Sequence, residues 1–349
     1  MNAVSRILID ICHPAHAHFF RYPIEELRAR GHQIMVTSRR KEMATDLLTA
    51  MGVQHQTISS QSRGTLGLAR ELLVRNYRLL KVARAFRPDV LTAIGGTFAA
   101  HVSALIRRPS VVFYDTENAR LQNAITYPLA TRVIVPNCYQ AWLPTGRSER
   151  YAGYHELSYL HPRRWQPSHE IAVANGLDPG RPNYLLRLVS WNANHDIGEH
   201  GLHLGRVREL AARFAQSGQV IISSEAELPA DLQALRYRGD PAMIHHLMAH
   251  CAGFFGESAT MASECAVLGV PAVYAALTGR GYTDEQETRY GLVRNVRRIE
   301  SDEVWSAADW LLARTPEENL AARMKLLADC IDVAGFATDR ILHFAAAGR

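Results

Sequence analysis

Short buried-strand runs alternate with helix-length segments along most of this chain, and a parallel α/β sheet is the arrangement that accommodates such alternation. Residues 6–11 are a nearly continuous apolar run, the mark of a strand covered on both faces. Residues 19–30 carry Phe20, Ile24 and Leu27 at helical spacing and stop at Gly31. Residues 33–37 read as the next strand, completing a βαβ unit with a right-handed crossover. The rhythm continues with helices over about 41–51 and 66–86 and strands at 89–94, 110–114 and 132–135.

Between 151 and 182 the rhythm breaks. Pro162, Pro167, Pro179 and Pro182 punctuate a stretch with several aromatics, which reads as an interdomain connection. A second series follows, with strands at 184–189, 219–223, 253–255 and 271–274 and helices at about 201–217, 243–250 and 261–268. A length of 349 residues, 47% of them apolar, supports two cores. The expected organisation is a Rossmann-like N-terminal domain over 1–155, with a C-terminal helix at about 336–349 packing back on it, and a second such domain over 170–335.

No run approaches the ~20 apolar residues that cross a bilayer. Asp10 and His13 interrupt the only apolar run near the N-terminus, so no signal peptide is expected. Cys12, Cys138, Cys251, Cys265 and Cys330 form no CxxC pair, as in a reduced cytosolic chain. Charge is uneven: residues 1–166 hold about 22 Lys and Arg against about 11 Asp and Glu, and the remainder is net acidic. No zinc-finger spacing, RNP-like motif or basic low-complexity tail accompanies the excess, which argues against nucleic acid. Residues 66–86 combine Arg70, Arg75, Arg78, Lys81 and Arg84 with leucines; such a helix suits an anionic membrane surface, or packs one face and solvates the other.

Ligands of open parallel sheets bind beyond the carboxyl ends of the strands, so the loops there carry the chemistry. The strand at 253–255 runs into Gly256, Glu257, Ser258, Ala259 and Thr260, and Glu264 follows in the next helix. Amides at a helix start and the Ser258 and Thr260 hydroxyls suit a diphosphate. A carboxylate one turn on can accept hydrogen bonds from two ribose hydroxyls. The same residues also make an ordinary strand–turn–helix with a capping serine. His13, His16 and His18 cluster after the first strand. The alternatives there are a base or phosphate contact at His16, structural histidines, and, least favoured, a metal site. Trp191, His195 and Asp196 follow the strand at 184–189, and Gln286 and Glu287 follow the last strand region. Both positions suit donor-sugar contact, and equally a helix cap or a solvated helix face.

The 256–264 segment, with Leu268, Gly269, Val270 and Pro271 after it, resembles the donor-nucleotide loop of GT-B enzymes. It is similar to that loop in the N-acetylglucosaminyltransferase that forms lipid II and in non-hydrolysing UDP-N-acetylglucosamine 2-epimerases. The resemblance implies a diphosphate on Gly256, Ser258, Ala259 and Thr260, a ribose on Glu264, and uracil against the backbone near Met243 and Ile244. In the N-terminal half, residues 12–16 resemble a glycine-rich loop of the lipid II enzyme that ends in histidine, which places His16 on that histidine. Gly95, Gly96 and Thr97 resemble its next glycine loop, and residues 114–119 resemble its His-Glu-Gln-Asn segment, carrying Glu117 and Asn118 across. Residues 10–20, 190–196 and the donor loop also resemble a bacterial and archaeal family of uncharacterised function placed near these enzymes, over nearly the whole chain. There are two departures: Gly96 stands where the epimerases carry an aspartate, and residues 191–196 replace their His-Arg-Arg-Glu-Asn segment.

The sequence therefore reads as an α/β chain of GT-B class, two doubly wound domains facing a cleft. The expected activity is transfer of a sugar from a nucleotide sugar, UDP-linked, to a surface-polysaccharide or polyprenyl-linked acceptor. His16 or Glu117 would be catalytic, with His13, His18, Gly95, Gly96, Thr97 and Asn118 on the acceptor side. A UDP-sugar 2-epimerase or hydrolase, and a non-catalytic sugar-nucleotide-binding protein, are the alternatives. No metal or cofactor is expected. The expected location is the cytoplasm, with peripheral contact at the inner-membrane surface through the basic helix.

Overall fold

The computed structural model describes residues 4–40, 44–60, 65–189 and 201–348. Its contacts divide the chain into two compact units, Met1–Arg164 with Ile331–Arg349, and Trp165–Cys330. The first holds β1 (Arg6–Ile11), β2 (Gln33–Arg40), β3 (Gln56–Ser60), β4 (Val90–Ile94), β5 (Ser110–Phe113), β6 (Arg132–Pro136) and β7 (Ser148–Tyr151). They form one parallel sheet in the order β3-β2-β1-β4-β5-β6-β7. The second unit holds β8 (Asn183–Leu188), β9 (Gln219–Ser224), β10 (Gly253–Gly256), β11 (Ala272–Ala275) and β12 (Val293–Val296). These are also parallel, in the order β12-β11-β10-β8-β9. Both are doubly wound Rossmann-like sheets. Strand order reverses between β1 and β4 in one and between β8 and β10 in the other, and ligands of such sheets bind where the order reverses.

Three strands, β3, β7 and β12, have no counterpart in the sequence reading. All three are sheet edges with polar sequences, QTISS, SERY and VRNV, so no apolar run announces them. The first helix, Pro14–Ala29, starts earlier than its apolar spacing shows, because His13 caps it and Pro14 fills its first turn. His16 and His18 consequently lie on that helix rather than in a loop.

Residues 151–164 are not an exposed connection. Tyr151, Tyr154, Leu157, Tyr159 and Leu160 are buried in the first unit, around a 3-10 turn at His155–Ser158. The Ser158 hydroxyl donates to the Phe19 carbonyl at 2.6 Å. Prolines and aromatics mark a linker and a tightly packed irregular segment alike, so the sequence pattern did not separate the two. The chain returns to this unit through Val333–Ala347, a helix capped by Asp332. The Arg164 guanidinium holds that cap, donating from Nε to both Asp332 oxygens at 3.1 and 2.9 Å, and it also pairs with Glu26 on the first helix.

Beneath the first unit's site lies a buried ion pair. Arg75, on the Thr65–Phe86 helix, donates from Nη2 to Asp10 Oδ1 at 2.6 Å, and neither side chain is more than 1% exposed. Thr37 Oγ1 donates to the same oxygen at 2.6 Å, and Arg75 Nη1 donates to Ser59 Oγ at 2.5 Å. The pair thereby ties the ends of β1, β2 and β3 together. Burial opposes the charge on Arg75, but the adjacent Asp10 carboxylate outweighs it and raises the guanidinium's hold on its proton. Arg75→Met leaves Asp10 buried and unpaired. It should lower unfolding stability by about 3–5 kcal/mol in urea titration, and the double variant Asp10→Leu/Arg75→Met should recover part of that loss. An unchanged urea midpoint in Arg75→Met would rule out this role.

Candidate functional site

In the first unit, β1 delivers Cys12 and His13 at its carboxyl end. His13 Nδ1 accepts from the Ala15 amide at 3.3 Å, and His16 Nδ1 accepts from the Cys12 amide at 3.4 Å. A neutral imidazole whose Nδ1 accepts carries its proton on Nε2, so both rings, when neutral, are Nε2 donors. Their centroids lie 5.8 Å apart, while His18 turns aside to stack on Tyr159 at 5.1 Å. Burial and the neighbouring Asp10 carboxylate push the Cys12 thiol up to about 12, so it stays protonated.

The loop after β5 brings Asp115 to the same end. Asp115 Oδ2 pairs with His155 Nδ1 at 3.0 Å, and Oδ1 accepts from the Thr116 hydroxyl at 2.9 Å. His155 is buried against the edge of Phe19, and its Nε2 has no hydrogen-bond partner among the described residues. Burial disfavours the Asp115 charge, but His155, Thr116 and the nearby His16 overcome this and hold the carboxyl well below the usual carboxylate range. Glu117 Oε1 accepts from the Gln140 amide at 3.1 Å, and Asn118 Oδ1 is shut from solvent without a partner among the described residues. Gly95 and Gly96 both have positive φ. A side chain at Gly96 would collide with Val112 beneath the loop, so the aspartate of the epimerase pattern has no room there. Thr97 Oγ1 is spent on Thr126 Oγ1 at 2.8 Å.

In the second unit, β10 ends at Gly256, which lies so close to Arg187 of β8 that no side chain fits. The helix Ala259–Leu268 follows, capped by Ser258, whose hydroxyl accepts from the Met261 amide at 3.3 Å. Ala259 and Thr260 form its first turn. Glu264, one turn on, is buried and bonded through Oε1 to His245 Nε2 at 2.8 Å. Met243 closes a 3-10 turn capped by Asp240, and Ile244 opens the short helix that carries His245. Gln286 is wholly buried, donating to Ser263 Oγ at 2.8 Å, and Glu287 clasps the Asn295 side chain at 2.6 Å; both brace the unit internally. Trp191, His195 and Asp196 lie outside the described residues. Glu257 spans that segment from both ends, accepting from the Val189 amide at 2.8 Å and the Leu202 amide at 2.6 Å.

A family model matches residues 5–278, most of the chain. The chain belongs to the family described as protein of unknown function DUF354. No curated protein matches the sequence. Solved structures give the fold. A Listeria monocytogenes protein assigned as a UDP-N-acetylglucosamine 2-epimerase is 13% identical, with a TM-score of 0.69 over 97% of this chain and 95% of that one. The UDP-N-acetylglucosamine 2-epimerase of Methanocaldococcus jannaschii is 10% identical, with a TM-score of 0.67 over 97% and 99%. The calicheamicin glycosyltransferase is 17% identical, with a TM-score of 0.60 over 99% of each chain. This DUF354 chain therefore has the two-domain Rossmann-like architecture of the GT-B class.

In this DUF354 chain, the Pro14–Ala29 helix and the loop after β5 bring His16 near Asp115 in the first unit, and the helix after β10 sets Glu264 behind Ser258 and Thr260 in the second. Sequence reasoning missed Asp115, His155, Glu257 and His245 as site residues. Two of them left a signal: Asp115 and Glu257 are carboxylates in the first positions after buried strands, where charge needs a partner. The depressed Asp115 carboxyl makes a signed prediction. Its stabilising effect is complete above the ordinary Asp value of ~3.9 and is lost as acid titrates the folded state below that range. Wild type should exceed Asp115→Asn in urea midpoint at neutral pH, and the gap should narrow on acidification below about pH 3.9. A gap independent of pH would show that Asp115 is not held as an anion.

Proposed function

We propose that this chain is a glycosyltransferase that takes a sugar from a UDP-linked donor and passes it to a hydroxyl of a glycan or polyprenyl-linked acceptor. The observation that carries the reading is the buried Glu264 carboxylate one turn past a serine-capped helix start, at the point where strand order reverses in the second unit. Amides at that start suit a diphosphate and the carboxylate suits a ribose diol. The names of the fold neighbours, UDP-N-acetylglucosamine epimerases and glycosyltransferases, point to the same ligand class. The epimerase alternative is disfavoured by the Gly96 loop, which excludes the carboxylate found there in that pattern.

On the first unit, the tautomer of His16 divides the roles. As an Nε2 donor, neutral His16 orients an oxygen rather than taking its proton. Proton acceptance then falls to Glu117. The acceptor hydroxyl would lose its proton to Glu117 as its oxygen bonds the anomeric carbon. The bond from that carbon to the phosphate oxygen breaks, and its electron pair leaves with UDP, stabilised by the amides at the start of the Ala259–Leu268 helix. Glu264→Ala should weaken UDP binding by about 1–3 kcal/mol in titration calorimetry. Glu117→Gln should cut turnover by ~10²–10⁴ and His16→Ala by less, both with UDP affinity intact. Wild-type turnover in both N-terminal variants, or loss of UDP binding in either, would falsify this division of labour.

Contact with the cytoplasmic face of the inner membrane completes the proposal. The Thr65–Phe86 helix exposes Leu73 and Tyr77 beside Lys81 and Arg84, and its only acidic residue, Glu71, is buried against Arg39. No described helix is long and apolar enough to cross a membrane. The protein should sediment with anionic vesicles and be released by salt. Equal sedimentation with neutral vesicles would remove this part of the reading.

A further inference from the structure

Glu264 does not stand alone. Its Oε1 lies 2.8 Å from His245 Nε2, and both side chains are buried. The two belong to different helices, Ile244–Met248 and Ala259–Leu268, so the bond crosses between elements. The short helix is itself anchored: the next residue, His246, accepts from the Ser168 amide through Nδ1 at 2.9 Å and packs on Trp165 at 4.8 Å, with the Trp165 ring edge-on to His245 at 6.4 Å. The imidazole is therefore fixed in place before any ligand arrives, and a carboxylate bonded to it is fixed as well.

We propose that His245 is the positioning residue for Glu264, holding one carboxylate oxygen so that the group meets the donor's ribose in a single orientation and selects ribose over 2′-deoxyribose. This rests on the reading of Glu264 as the ribose ligand. The selectivity follows from the pinning. A carboxylate that cannot turn is left poorly paired when a hydroxyl is missing, whereas a loose one can turn to another donor or to water. A brace serving only the fold would affect stability and leave the ratio of affinities unchanged.

The test is the ratio of affinities for UDP and 2′-deoxy-UDP, measured by titration calorimetry on the full chain. Wild type should favour UDP by about tenfold or more. His245→Gln, whose side-chain amide N–H reaches the place of the imidazole Nε2, should keep most of that ratio. His245→Asn is too short to reach Glu264 and should bring the ratio near unity, as should His245→Ala. If a shortened variant fails to fold, the other decides. If both fail, the wild-type ratio and its retention in His245→Gln decide. A wild-type ratio near unity, its loss in His245→Gln, or its survival in His245→Asn or His245→Ala overturns the positioning role and leaves the donor site standing. Failure of wild type to bind UDP at all overturns both.

Discussion

Asp10 and Arg75 meet under the carboxyl ends of β1, β2 and β3, out of reach of solvent, and the geometry of the first unit's loops follows from that meeting. A bare charge at that depth is prohibitive, and Thr37 and Ser59 add hydrogen bonds that help to hold the pair. The strand end is therefore locked. Two residues beyond Asp10 the chain leaves the sheet, and His13 turns it directly into a helix, which sets the direction of the His16 ring. A residue usually assigned to the core thus determines where the candidate chemistry stands.

The second unit solves a related problem with carboxylates whose oxygens have separate tasks. Glu257 gives both oxygens to backbone amides that are far apart in sequence, drawing together the chain on either side of 190–200. Glu264 gives one oxygen to a histidine on a neighbouring helix. Gln286 and Glu287, whose place in the sequence suits donor-sugar contact and equally a solvated helix face, are bonded to Ser263 and Asn295. These bonds join the Gly281–Thr288 helix to the helix that carries Glu264 and to β12.

The parallel-sheet class was legible because buried strands such as β1, β4, β6 and β8 are apolar on both faces, and burial is what a hydrophobic run records. The edges β3, β7 and β12 were not legible, because a strand with one open side needs no apolar run. The glycines of the Gly95–Gly96 loop and the capping Ser258 were legible because their chemistry is local, within a few residues. Asp115 with His155, and Glu264 with His245, are partnerships between different elements of the fold; spacing along the chain does not encode them, and only the folded sheet brings them together.

The helix Val333–Ala347 belongs to the first unit, although the whole of Trp165–Cys330 intervenes. On the ribosome this has an uneven outcome. The second unit has all of its chain before Val333–Ala347 is made and can fold without it. The unit begun first must wait, its packing surface on the Pro14–Ala29 helix and its Arg164 clasp open until Asp332 emerges. Removal of the Val333–Ala347 helix would thus damage the N-terminal unit while leaving the more recently made one intact.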